Sequence, residues 1–420
     1  MRKSKKYVLI DVGNHYVKCL VIGETSQREY ELLKNFTART RGIENGETKD
    51  VVSFREVLEK VISEVEEVAK LETSEIVVST SCGKFNLRSV EKEVVLSENE
   101  KKPIDETTVE QLREAILDEF QTTERPLHIF AKRYIIDKSK VVFNPQDMLA
   151  NSLAAEFNLV TVERSSGSVL DFLEETFPPE TDFAVSVISA CEGILTDIEK
   201  ETGTCVIDLG YSSTSVTIYS HGVPIRLEFI PLGIKHVIKD ISFVLNTSLD
   251  EAERLLKTHG CAVFGETSFV QQTIEYKGLD GMTAKTTTKD FLSRIIHARL
   301  REILTKARRI YREETSKFSE IGLKGLPGGI ILSGGGAKVP RLLDVAIDVF
   351  KNPVRIGTYN TSSNVQIKNA DEVIDEPLYN AALGNFVSII SRHQIKPQAK
   401  KKVASESFFK KLSDILKNLW

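Results

Sequence analysis

Two stretches of the chain share one pattern of apolar and polar positions: YVLIDVGNHYVKCLVI at 7–22 and TCVIDLGYSSTSVTIY at 204–219. Each reads as a continuous apolar run, Asp-x-Gly, a polar turn and a second apolar run. The runs Val8, Leu9, Ile10 and Cys205, Val206, Ile207 do not alternate, which predicts strands covered on both faces. Each ends on a carboxylate, Asp11 or Asp208. A carboxylate at the end of a buried strand is costly unless hydrated, paired or near a cation, so both are expected to hold a hydrated magnesium ion. Gly13 and Gly210 allow a tight turn whose consecutive N–H groups suit phosphate oxygens, and Lys18 adds a point charge. One Asp-x-Gly is usually only a hairpin turn. Two in matching contexts, about half the chain apart, predict two similarly folded lobes facing across a cleft.

A third element, GGIILSGGGAKVPRLLDVAIDVF at 328–350, reads as buried strand, glycine turn and amphipathic helix. Gly334, Gly335 and Gly336 strip the turn of side chains, so backbone can approach a flat ring and the helix start can offer unpaired N–H groups. There is no G-x-x-x-x-G-K-S/T and no G-x-G-x-x-G, which excludes the P-loop and dinucleotide folds. Further along, Thr107 and Glu110 form a capping-box pattern before the amphipathic run VEQLREAILDEF, and Ser248 and Glu251 form another before a helix ending at Gly260.

After residue 392 the composition shifts to HQIKPQAKKKVASE, a lysine-rich linker at 392–406. The segment 407–420 is then apolar at Phe408, Phe409, Leu412, Ile415, Leu416, Leu419 and Trp420. On a helix those positions fall within an arc of about 140°. Lys410, Lys411 and Lys417 lie outside it. That pattern suits an anionic bilayer surface, to which one copy binds reversibly and many copies on a filament bind firmly. The rest of the composition narrows the field. A net charge of −4 over 420 residues argues against a nucleic-acid binder. Five scattered cysteines fit free thiols in a reducing compartment. No apolar run approaches the ~18 residues of a spanning helix, so membrane contact is expected to be peripheral.

These motifs resemble the actin and Hsp70 superfamily. DVGNHYVK is similar to its first phosphate motif, with Asp11, Gly13, Asn14, His15 and Lys18; VIDLGYSST to the second, with Asp208, Gly210, Tyr211, Ser212 and Ser213; and ILSGGGAKVP to the adenosine motif, reaching Ala337. SACEGIL at 189–195 and PLYNAALGN at 377–385 fall where the family has connecting helices. Within the superfamily the chain most resembles the FtsA family, through LHIFAKRYIIDKSKVVFNPQDM (127–148), PLGIKHVIKD (231–240) and KTTTKDFLSRIIHARLREI (285–303).

The resemblance implies an α/β, actin-like duplicated ATPase fold with two lobes around a nucleotide cleft and an inserted 1C subdomain. The implied boundaries are 1A at 1–83, 165–200 and 356–391, 1C at 84–164, 2A at 201–235 and 310–355, and 2B at 236–309. It implies ATP and Mg2+ as ligands, with at most slow hydrolysis by a water near Asp208 and Glu192. It also implies a ribose and base contact at Glu253, with Leu256 where relatives often place a lysine and Lys257 one step on. Implied partners are the acidic C-terminal peptide of FtsZ at Arg299, further copies in a filament, and later division proteins at 1C, all on the cytoplasmic face of the cell membrane at the division site. Two readings compete: a small-molecule kinase of the same fold, for which no separate general base stands out, and a pilus-assembly platform of the PilM type. An Hsp70 chaperone is not expected, since only about thirty residues follow the last core motif.

Overall fold

The computed structural model describes residues 5–25, 29–44, 46–120, 124–163, 168–319, 325–359 and 365–395. Its two largest sheets repeat one topology. In the first, strands run in the order Asp182–Val185, Glu75–Thr80, Lys5–Val12, Tyr16–Glu24 and Tyr30–Arg39, with the short Ile367–Lys368 added at the edge. In the second the order is Val354–Ile356, Ile330–Ser333, Thr204–Leu209, Thr214–Ser220 and Val223–Ile230. In both, a three-strand antiparallel meander is extended by parallel strands beside its first member. The equivalence extends to register: Asp11 stands opposite Ser79, and Asp208 opposite Ser333.

The unbroken apolar runs follow from covering both faces. Val8, Ile10 and Val12 pack with Phe54 and Leu58 of the helix Val51–Glu66. Tyr7 and Leu9 point the other way, against Leu383 and Phe386 of the helix Asn380–Ile395. That helix crosses Ser186–Ile194, where Gly193 and Gly384 let the backbones touch. A Cβ on Gly384 would overlap the Ser189 carbonyl, so only glycine fits at this crossing. The expected connecting segments therefore form a single crossed pair. The helix continues to Ile395, past the start expected for the linker at 392.

The interval 84–164 holds a separate four-stranded sheet, ordered Lys140–Val142, Glu124–Ile136, Ser152–Glu163 and Phe85–Val95. Leu112 and Ile116 of the helix Glu106–Glu119 cover one face, against Ile136, Leu153 and Phe157. The cap of this helix differs from the one read at Thr107. Asp105 is the N-cap, because its carboxylate accepts from both the backbone N–H and the hydroxyl of Thr108, at 2.8 and 2.7 Å. The module leans on the second lobe as well as the first. Asn158 Nδ2 donates to the Pro224 carbonyl at 2.9 Å, and the Phe85 and Phe229 rings lie 5.9 Å apart.

In the second lobe the helices Ile234–Leu245 and Leu249–His259 and the hairpin Thr273–Lys277/Ala284–Thr288 pack on the 31-residue helix Lys289–Ser319. Among the described residues no helix is long and apolar enough to cross a membrane. Phe408, Phe409, Leu412, Ile415, Leu416, Leu419 and Trp420 lie outside the described residues.

Candidate functional site

Between the two sheets lies a cleft of about 740 Å³ into which both Asp-x-Gly turns open. The turns are built alike. Gly13 N–H donates to the Tyr16 carbonyl at 3.1 Å and Gly210 N–H to the Ser213 carbonyl at 3.0 Å, each closing a three-residue step between antiparallel strands. A Cβ on Gly210 would sit 2.8 Å from the Ser213 oxygen, so glycine is needed for closeness rather than for an unusual φ.

The cleft is lined by Asp11, Gly13, Asn14, His15, Lys18, Asp208, Gly210, Tyr211, Ser212, Ser213, Glu253, Gly334, Gly335 and Gly336. Asp11 is 3% exposed and fully engaged: Oδ1 accepts from Ser186 Oγ at 2.5 Å and Ser79 Oγ at 3.1 Å, while Oδ2 pairs with Lys18. Asp208 is less provided for. Burial pushes its carboxyl up to about 6, Ser333 pulls against that with a hydrogen bond, and the charge of Asp11 adds to the rise. A partly satisfied carboxylate beside a second one is a place where a cation lowers the energy. Among the described residues no group of three or more His, Cys, Asp or Glu could cage a metal. Two carboxylates, one on each of two facing strands, are a donor set that suits a hydrated cation held through its water.

The glycine turn differs in detail from the sequence reading. Gly335–Lys338 is a 3-10 turn closed by Ala337 N–H to the Gly334 carbonyl at 3.0 Å, and the helix Leu342–Phe350 starts only after it. Gly334, at φ 80°, and Gly336 are pressed on the neighbouring turn: a Cβ would meet the Leu209 carbonyl at 2.8 Å and the Leu209 Cβ at 2.7 Å respectively. Gly335 alone presents open backbone to the cleft, with Leu378 as its nearest neighbour. Ala337 is buried behind the turn and outside the lining.

Across the cleft mouth the lobes touch. The His15 ring stacks on Tyr211 at 3.9 Å. Glu253 is 8% exposed; its Oε1 contacts His15 Nε2 at 3.1 Å and Lys257 Nζ at 2.7 Å, and its Oε2 contacts Arg39 at 3.3 Å. Burial lowers the His15 pKa despite the carboxylate, and because a carboxylate oxygen only accepts, it is His15 Nε2 that donates to Glu253. Ser248 caps the helix that carries Glu253, accepting from Glu251 N–H at 3.2 Å. Leu256 and Lys257 both line the cleft, and Lys257 reaches Tyr16 OH at 3.2 Å.

Two expected residues stand apart. Glu192 is outside the lining, its Oε2 held by Lys200 at 2.6 Å. Arg299 lies on the helix Lys289–Ser319, outside the cleft lining, its guanidinium forked onto Asp240 at 2.7 and 3.0 Å and also paired with Glu302. Sequence reading passed over Ser79, Ser186, Ser333 and Tyr16. The available signal was positional, since Ser79 and Ser333 stand opposite the two aspartates, at or one residue before the end of the neighbouring strand.

Two family models match the chain: cell division protein FtsA over residues 205–384, and the SHS2 domain inserted in FtsA over 85–161, together more than half its length. The chain is 27% identical to cell division protein FtsA of Bacillus subtilis over 366 residues, covering 86% of this chain and 80% of that one. It is 27% identical to the protein of that name from Borreliella burgdorferi over 402 residues, covering 94% and 93%. Among solved structures, the PilM-PilN type IV pilus biogenesis complex superposes with a TM-score of 0.57 at 15% identity, covering 93% of this chain and 99% of that chain. The last likeness is one of fold: a duplicated, actin-like architecture.

Proposed function

This chain belongs to the FtsA family of cell-division proteins, and on that premise we propose that it is an ATP-binding tether. It polymerises at the inner face of the cytoplasmic membrane, holds the C-terminal peptide of FtsZ on the outer part of its second lobe, and takes up later division proteins through the inserted sheet. The observation that carries the nucleotide part is the pair of like-built Asp-x-Gly turns opening into one cleft with Asp11, Asp208 and Lys18.

In this reading the N–H groups of the two turns receive phosphate oxygens, and Lys18 exchanges Asp11 for a phosphate. Asp11 and Asp208 would hold a hydrated magnesium ion, whose charge would offset that of the phosphates. Ile234, Ile238, Leu256 and Val339 give the apolar wall for the base, with Gly335 as the backbone approach. Binding rather than turnover is what these residues support. Glu192, expected near a reacting water, is turned to Lys200.

The test is calorimetric titration of Mg2+-ATP into the full chain and into Lys18→Ala and Asp208→Ala. Binding by the wild type and at least tenfold loss in both variants supports the reading. Equal affinities in all three chains contradict it. The PilM likeness is of fold alone and adds no second reading, while both family models carry the FtsA name.

A further inference from the structure

Two asparagines on one helix reach the two cleft carboxylates through serines at equivalent positions. Asn385 Nδ2 donates to Ser79 Oγ at 3.0 Å, and Ser79 Oγ lies 3.1 Å from Asp11 Oδ1. Asn380 Nδ2 donates to Ser333 Oγ at 2.9 Å, and Ser333 stands opposite Asp208 in the paired strands. The four relay residues are at most 1% exposed. Asn380 Nδ2 also donates to the Gly357 carbonyl at 2.9 Å, a pure acceptor that fixes which end of the amide faces the serine.

The direction of these bonds matters. An amide NH2 only donates, so each serine must accept from its asparagine and has its single proton left to give. Ser333 has the Asp208 carboxylate beside it in register as the charged acceptor for that proton. Ser79 has two acceptors in reach, Asp11 Oδ1 and the Ile10 carbonyl at the longer 3.4 Å, and the charged one is favoured. Donors set behind a carboxylate fix its orientation towards a cation and tune its basicity.

Both asparagines lie on Asn380–Ile395, the helix clamped at Gly384 against Ser186–Ile194. Ser186, the first residue of that second helix, donates directly to Asp11. One crossed pair of helices thus holds a carboxylate from each lobe.

We propose that Asn380 and Asn385 are positioning residues for a divalent cation. They keep Ser79 and Ser333 as donors towards Asp11 and Asp208, so that the two carboxylates are held in one relative placement. This rests on the nucleotide reading of the cleft and deepens it.

The experiment is fluorescence anisotropy of a labelled ATP analogue on the full chain, in EDTA and in Mg2+. The chains compared are wild type, Asn380→Leu, Asn385→Leu and Asn385→Asp. In the leucine variants the gain in affinity on adding Mg2+ should fall about tenfold, the scale of a lost hydrogen bond to a charged group, while the EDTA affinity moves less than about twofold. Asn385→Asp should lose at least as much, because its carboxylate takes the Ser79 proton from Asp11. Equal loss in EDTA and Mg2+, or an unchanged gain, overturns the proposal. Should the asparagine variants not fold, Ser79→Ala and Ser333→Ala remove the same relay with a smaller change and are read by the same criterion. A wild type that binds no nucleotide in either condition overturns the reading of the cleft itself, which is a different outcome.

Discussion

Glu253 and His15, 238 residues apart in the chain, meet at 3.1 Å across the mouth of the cleft. With Arg39 and the His15–Tyr211 stack they latch the two lobes together across that mouth. Glu253→Ala should therefore raise the association rate of a fluorescent nucleotide about 3–10-fold by increasing the open fraction. Stopped-flow mixing measures it. An unchanged association rate contradicts the latch.

Arg299 is paired before any partner arrives. An acidic peptide has to compete with Asp240 for the guanidinium fork, so Asp240→Asn should tighten binding of the FtsZ C-terminal peptide about three- to tenfold. Arg299→Ala should weaken it at least tenfold. Peptide anisotropy reads both variants, and weaker binding by Asp240→Asn would mean that the aspartate itself helps hold the peptide.

Acid should loosen the junction between the inserted sheet and the first lobe. His128 Nε2 accepts the Val185 N–H at 2.9 Å, and burial, with Arg392 adding to it, lowers its pKa from 6.5 to about 4. The folded chain then binds fewer protons than the unfolded chain between those values. The stabilisation is present above pH 6.5 and is lost as pH falls towards 4, by about 2–3 kcal/mol. His128→Gln, which keeps an acceptor but does not titrate, should flatten urea-unfolding stability over pH 7 to 4.5; a slope equal to wild type contradicts this.

Gly384→Ala should cost about 3 kcal/mol, because the new methyl has to displace the Ser189 carbonyl and part the crossed helices. Thermal unfolding measures the loss. Full stability would show that the crossing has slack.

Much of the frame was legible in the chain because it rests on local pattern. The runs ending at Asp11 and Asp208 predicted doubly covered strands, and their repetition predicted facing turns. Ser248 and Gly260 marked helix ends correctly, since a cap is a contact between near neighbours. What escaped reading depends on distant partners. The pairings of Arg299 with Asp240 and of Glu192 with Lys200 follow from which helix faces meet, and no spacing rule gives them. The glycine turn was read as room for a ring, but Gly334 and Gly336 are small because the neighbouring turn presses on them. The Asp105 cap was missed for a local reason: its carboxylate takes the Thr108 N–H and so sets the N-cap two residues before Thr107, which places Thr107 inside the first turn.

The tether itself is tested most directly by vesicle flotation. Anionic vesicles are mixed with ATP, FtsZ and either the full chain or one ending at Ser405, which lacks Phe408, Phe409, Leu412, Ile415, Leu416, Leu419 and Trp420. The full chain should carry FtsZ to the top of the gradient and the shortened chain should leave it at the bottom. FtsZ floating equally with both chains, or with neither while ATP still binds, would contradict the account.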